Sequence, residues 1–214
     1  MLKIVGAIAF TLVLTGCAGF VQTSSTTFQG PDHNLRGKIV VMPVDKSQEG
    51  SLEFSNVSNY LLNKLALKGY DRATSLNDAQ FMAFITYGID SGTTSVSSVP
   101  IYGQTGGGTS YSTGTVTNSY GRTATFGATT TTMPTYGMVG AVPVSSTEYK
   151  RRVNIDIWRR DASSTKVYEM KGFSAGSCGN INSILFHIID GMFLNFPGEN
   201  GQSKKVNVEW NGKC

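Results

Sequence analysis

Residues 79–89, with the sequence AQFMAFITYGI, indicate the fold class more directly than any other stretch of the chain. Phe81, Ala83 and Ile85 occupy every second position, which is the period of a β-strand that buries one face. Residues 153–158, VNIDIW, repeat this alternation further along the chain. The two stretches therefore predict two amphipathic strands.

Three further runs indicate strands around these two. Residues 38–44, KIVVMPV, are almost continuously apolar, as in a strand that is covered on both faces. Residues 166–173 are predicted to return from a hairpin turn at residues 161–164, DASS. Residues 206–210, VNVEW, are expected to add a strand at one edge.

A helix is predicted between Ser51 and Gly69. Ser51 is a typical N-cap residue, Glu53 suits the positive end of the helix dipole, and glycine is the preferred residue just after a helix end. The apolar face recurs at three- and four-residue spacing and consists of Phe54, Val57, Leu61 and Leu65.

A second helix, capped by Asn180 or Asn182, is predicted to end at Pro197. Its apolar face consists of Ile181, Ile184, Leu185, Ile188 and Met192, widened by Ile189 and Phe193. With the strands, the two helices predict an α+β fold in which a small mixed β-sheet is packed with two helices.

Residues 91–147 interrupt this pattern as a long insertion rich in Thr, Gly and Tyr. Arg122 is its single charged residue. A structureless loop of this length is uncommon inside a compact domain, whereas Thr and Tyr favour strands and the glycines supply turns. Extended hairpin arms are therefore expected, with a disordered loop as the alternative.

The N-terminal residues predict where the protein is targeted. Residues 1–16 have a basic start, an apolar run too short to span a bilayer, and small residues before Cys17, which is typical of a signal peptide. The segment LTGC, residues 14–17, resembles the lipobox of bacterial lipoproteins, in which the cysteine becomes the lipidated first residue. The alternative is an ordinary secretory signal with a chance cysteine.

Residues 17–37 are interpreted as a lipid-anchored polar tether because they contain the runs QTSSTT and GPD. Residues 38–214 then form a single domain that contains the insertion. If Cys17 carries lipid, Cys178 and Cys214 remain as a pair in an oxidising compartment, which predicts a disulfide. Two free thiols are the alternative.

The remaining residues offer no catalytic set, no metal site and no cofactor site. The segment GSCG, residues 176–179, lies between a strand and a helix as a nucleophile would, but His33 and His187 are the only histidines and neither is placed to serve as its base. Residues 103–110, GQTGGGTS, lack the lysine of a phosphate-binding loop. A net charge of +4 without a basic stripe excludes a typical nucleic-acid binder. No small-molecule substrate is identified.

Several segments resemble, in the same order, a family of uncharacterised Gram-negative envelope lipoproteins with a single domain of unknown function. They are the helix end at Lys68-Gly69-Tyr70, the Thr-rich insert at residues 129–132 and the Asn195-Phe196-Pro197 helix end. The resemblance implies an α+β envelope domain with no known enzymatic activity, and it transfers no functional residues. Ala18 after Cys17, where an aspartate favours inner-membrane retention in such lipoproteins, implies the outer membrane.

The leading hypothesis is a non-enzymatic outer-membrane lipoprotein that faces the periplasm as a structural or protein-interaction module. It is expected to bind the membrane through its N-terminal lipid and an envelope protein through the tyrosines of the insert, Tyr102, Tyr111, Tyr120 and Tyr136. One alternative is that arms of several copies form a pore or secretion component. Another is a peptidoglycan-associated regulatory lipoprotein that uses the long tether.

Overall fold

The computed structural model of this chain describes residues 19–162 and 164–214. Its elements, in chain order, are β1 (Gly19–Gln29), β2 (Lys38–Pro43), α1 (Leu52–Ala66), β3 (Asp71–Arg72), β4 (Phe81–Ile89), β5 (Thr93–Thr117), β6 (Thr123–Arg159), β7 (Lys166–Gly176), α2 (Ile181–Leu194) and β8 (Ser203–Trp210), with a 3-10 turn at Lys46–Gln48. The predicted signal peptide and the predicted lipidation site at Cys17 lie outside the described residues.

The chain divides into two units. The core unit comprises the described residues up to Thr93 and from Thr147 to Cys214, and the second unit, Thr94–Ser146, is called the hairpin below. All residues of the hydrophobic core cluster belong to the core unit.

The strands form one mixed sheet of eight strands in the order β3-β2-β4-β6-β7-β1-β8, with β5 paired to β6. β2 runs parallel to both β3 and β4, and the other neighbours along this order are antiparallel. The prediction of an α+β fold with a small sheet was therefore wrong, since strands dominate the described residues, which contain only two α-helices. The error arose because β1 had been assigned to a tether, β3 had not been predicted, and the expected arms of the insertion are continuous with the strands of the sheet. β1 is the larger of the two omissions.

β1 is the strand that the sequence analysis had interpreted as part of a polar tether over residues 17–37. β1 lies inside the sheet, antiparallel to β7 on one side and to β8 on the other. Its inward positions are Val21, Thr23, Ser25 and Thr27, all buried. The tether interpretation was wrong because three of these four positions carry hydroxyl side chains, which conceal the two-residue period from a hydrophobicity pattern.

The helices agree with their sequence signals. Ser51 caps α1, accepting a hydrogen bond from the backbone N–H of Phe54 at 3.0 Å, and the four predicted face residues are buried. Asn180 rather than Asn182 caps α2. Both helices were predicted correctly because caps and helical periodicity are local features of the chain.

Tyr70 closes the core just after α1. Its side chain is 2% exposed, its ring meets Phe81 edge-on with centroids 5.5 Å apart, and the Arg36 guanidinium lies 4.9 Å from its ring centroid. Burial raises the pKa of the Tyr70 hydroxyl to about 12. The folded protein therefore holds this proton more tightly than the unfolded chain, in which the pKa of tyrosine is about 10.

This shift predicts a specific loss of stability at alkaline pH. The contribution of Tyr70 to the free energy of unfolding is complete below about pH 10 and is lost as the pH rises towards 12. In that range the tyrosine ionises readily only in the unfolded chain. Between about pH 8 and pH 11.5, the free energy of unfolding of the native protein should fall by about 2 kcal/mol more than that of the Tyr70→Phe variant. Urea unfolding of both proteins at each pH measures this difference. The same pH dependence in both would contradict the burial argument.

Candidate functional site

The hairpin consists of the greater part of β5 and β6, joined by a tight turn at residues 118–122. The backbone N–H of Asn118 donates to the carbonyl of Arg122 at 3.0 Å, and the Asn118 side-chain oxygen accepts from the N–H groups of Tyr120 and Arg122. Gly121 adopts a φ of 74°, which favours glycine. The extended arms predicted for the insertion are present as β5 and as the part of β6 that precedes Glu148.

Pairs of threonines face each other across the hairpin at regular intervals. Their hydroxyl oxygens lie 3.3 Å apart for Thr105 and Thr135, 3.4 Å for Thr109 and Thr131, and 3.0 Å for Thr117 and Thr123. Cross-strand Thr–Thr pairs each contribute roughly 0.2–1 kcal/mol. These pairs hold β5 and β6 in register where no hydrophobic core is available.

Glycines provide the space in which aromatic rings cross from one strand to the other. A Cβ added to Gly114 would lie 2.7 Å from the ring of Phe126, and one added to Gly127 would lie 2.5 Å from the hydroxyl of Tyr111. Each ring therefore covers a glycine of the opposite strand, an arrangement known to support strand glycines. This packing accounts for the recurrence of glycine and aromatic residues in the hairpin.

The predicted contact tyrosines are all highly exposed. Tyr102, Tyr111, Tyr120 and Tyr136 are 73%, 71%, 89% and 76% exposed. Ten other large apolar side chains of the hairpin are exposed by 45% or more, among them Met133. Since Arg122 is the only charged residue of the hairpin, this unit presents a nearly uncharged surface on which exposed apolar side chains lie among threonine and serine hydroxyls. Exposed apolar side chains in such number often mark an interaction site.

The strand edges are treated differently in the two units. In the core unit, the edge strand β3 has two residues, and the edge strand β8 carries Lys204 and Lys205. Short edges and edge lysines discourage pairing with other chains. Along Thr94–Ser146, β5 and β6 pair only with each other among the described residues, and their outer edges carry no lysine or acidic residue.

The two remaining cysteines meet at the other candidate site. The sulfurs of Cys178 and Cys214 lie 2.10 Å apart, at disulfide-bonding distance, and the two Cα atoms are 5.4 Å apart. Cys178 is 4% exposed. This sulfur is therefore engaged by Cys214 and is not available as the nucleophile considered for residues 176–179.

Arg151 is a buried cation beside this cysteine pair. It is 3% exposed, and its Nη2 donates to the carbonyl oxygens of Gly176 at 3.0 Å and Cys178 at 2.5 Å. Burial lowers the pKa of the Arg151 guanidinium. The side chain thus holds the segment between β7 and α2 and does not present its charge to a ligand.

The histidines are separated in the fold. His33 Nδ1 lies 3.0 Å from the carbonyl oxygen of Gly30 in a loop, whereas His187 lies on α2. Across residues 19–162 and 164–214, no three His, Cys, Asp or Glu side chains come together in a group that could hold a metal ion. In the same ranges, no helix is both long and apolar enough to cross a membrane.

A second surface, missed by the sequence analysis, lies on the sheet face opposite the buried rows. A cavity of about 450 Å³ is lined by Met42, Phe84 and Trp158 together with polar residues that include Lys46 and Asp156. Phe84 and Trp158 could have indicated this surface, because they are large apolar residues at positions that alternate with the inward-facing residues of their strands. Its charged rim is mixed and indicates no particular ligand.

The strand register places the start of β1 and the end of β4 at the same end of the core unit. Ile89, Arg151, Ser174, Thr23 and Val206 form one row across the sheet. From this row, β4 continues towards the first residue of the hairpin and β1 runs back to Gly19, at the same end of the core unit. The chain thus enters the core unit and leaves it for the hairpin at one end of the sheet.

Comparisons with known proteins leave the family of this chain open. No protein-family model matches it, and neither does any curated protein. A crystal structure of a PDZ domain protein from Parabacteroides distasonis is similar with a TM-score of 0.46 and 10% identity, over 89% of this chain and 40% of that chain. The chain thus spans less than half of that protein, and the resemblance to envelope lipoproteins stays a prediction.

Proposed function

We propose that this protein is a non-enzymatic lipoprotein of the outer membrane, on the periplasmic side, that binds a protein partner in the envelope through its hairpin. The observation that carries the proposal is the exposed surface of the hairpin, with fourteen large apolar side chains and one charge. No residue of the hairpin belongs to the core cluster. Its apolar surface therefore contributes nothing to the core and is available for a partner.

The position of β1 supports attachment close to the membrane. A lipid on Cys17 would be separated from Gly19, the first residue of β1, by one residue only. The acyl chains would hold that end of the sheet at the membrane surface, since two or three chains anchor a protein stably. The peptidoglycan-associated alternative depended on a long tether over residues 17–37, of which residues 19–29 form β1.

Deletion of residues 94–146 tests the proposed contact surface. With Thr93 and Thr147 joined by an Asn-Gly turn, the core unit should remain folded and in the membrane fraction, because it contains the whole hydrophobic core. Crosslinking in intact cells should then lose the adducts formed by the native protein. The result to be measured is the presence of each adduct by immunoblot and mass spectrometry.

Two further variants complete this test. Tyr102, Tyr111, Tyr120 and Tyr136 changed together to serine should weaken crosslinking while the hairpin remains, which separates side-chain contact from mere length. Cys17→Ser should move the protein out of the membrane fraction. An adduct that survives the deletion, or a Cys17→Ser protein that still pellets with membranes at its usual size, would overturn the respective part of the proposal.

A further inference from the structure

We infer that the partner of the hairpin is a second copy of this chain, which adds its own hairpin to the outer edge of β6 by antiparallel backbone pairing. This inference rests on the proposed function and specifies its partner. The first argument is the unprotected edge. Between residues 95 and 146, β5 and β6 pair with no further strand among the described residues, and such strand edges template the addition of another strand.

The core unit of the same molecule supplies the comparison. It limits its edges to the two residues of β3 and to β8, which carries Lys204 and Lys205. Between Thr123 and Met133, β6 has neither of these protections and contains no proline, whereas Pro134 and Pro143 lie further along the strand. The core unit therefore protects its edges, whereas this part of β6 remains open to pairing with another strand.

The second argument concerns which strand fits this edge. β5 and β6 already pair through opposed threonines, as at Thr109 and Thr131, and through aromatic rings over glycines, as at Phe126 and Gly114. A second β6 would bring threonines to the outer edge, so that cross-strand Thr–Thr pairs of the same kind could form there. Self-pairing also meets no like-charge repulsion along the strands, because the only charge, Arg122, lies in the turn.

The third argument selects the edge of β6. Thr129–Thr132 offers four consecutive β-branched residues without glycine or proline, a composition with high strand propensity. On β5, Gly107 and Gly108 adopt φ values of 87° and 131°, which interrupt the extended backbone near the partner of this run. Two β6 edges related by a two-fold axis pair antiparallel and close at two copies.

The test compares two pairs of lysines in the full lipidated chain, purified in detergent. Thr130→Lys combined with Thr132→Lys places positive charges on the proposed edge of β6, so that like charges meet in the dimer. Thr113→Lys combined with Thr115→Lys is the control, because it adds the same charge to β5. All four threonines have exposed side chains. Molar mass is measured by size-exclusion chromatography with light scattering over a range of concentrations.

The native protein and the β5 variant should form dimers, and the β6 variant should dissociate at least about tenfold more readily. A native protein that is monomeric at every concentration, or a β5 variant that dissociates as readily as the β6 variant, would overturn the inference. In cells, the decisive case is a crosslinked adduct that disappears on deletion of residues 94–146 and yet has a mass other than that of two copies of this chain. That result would overturn the inference but not the proposed function. An adduct that survives the deletion would overturn the proposed function itself.

Discussion

Cys178→Ala combined with Cys214→Ser is expected to lower the free energy of unfolding by about 4 kcal/mol. The two cysteines are 36 residues apart in sequence, and a crosslink across such a loop restricts the unfolded chain by about that amount. Alanine is chosen at position 178 because this side chain is buried, where a serine hydroxyl would add a separate cost. The measurement is urea unfolding of the oxidised native protein and the double variant.

Loss of the disulfide should destabilise one edge of the sheet more than its interior. Cys214 follows β8, which pairs with β1 alone, and Cys178 lies just before α2, where Arg151 holds the same segment. Without the link, β8 should exchange its amide hydrogens faster than β6, which lies inside the sheet. The reduced native protein is the control and should match the double variant. Alkylation of both thiols without prior reduction would show that the pair is not bonded.

Gly191→Leu is expected to destabilise the core unit by about 3 kcal/mol, because it inserts a side chain where α2 packs closely against β1. A Cβ added to Gly191 would lie 2.8 Å from the Cβ of Thr23 on β1 and 3.0 Å from its hydroxyl oxygen. Thr23 is fully buried, so its side chain has no solvent space into which it can move. Gly88→Leu is the matched control, since nothing lies within 4 Å of a Cβ at Gly88.

A double-mutant cycle identifies the contact responsible. In the native background, Gly191→Ala should destabilise by about 1–2 kcal/mol, because overpacking exceeds the gain in helix propensity. In the Thr23→Gly background, the same substitution should stabilise by up to about 1 kcal/mol, since only the helix propensity remains. Equal effects in the two backgrounds would show that the helix and β1 do not meet at this point.

Those features that depend on local patterns could be predicted from the sequence. The cap at Ser51 and the face from Phe54 to Leu65 were correct because both depend on residues within a few turns of one another. The alternating strands β4 and β6 were recognised for the same reason, since their inward positions carry apolar side chains. The strand character of the hairpin followed from its content of threonine and tyrosine.

β1 could not be predicted in this way. Its buried threonines and serines are small enough to lie beneath α2, where Gly191 meets Thr23, but this requirement arises only when the helix and the sheet are brought together. The cavity beside Phe84 and Trp158 likewise joins residues from separate strands. The size of the sheet was underestimated because β1 and the two-residue strand β3 were not predicted.

The amino-acid pattern alone established which segments are helices, which segments alternate as strands, and that a nearly uncharged insertion interrupts the chain. These properties follow from propensities and periods that act over a few residues. Tertiary contacts were needed to convert residues 19–29 into a strand inside the sheet and to bring the start of that strand to the end of the core unit from which the hairpin begins. Strand pairing joins segments far apart in sequence, and the partner of a strand is not encoded in its own alternation.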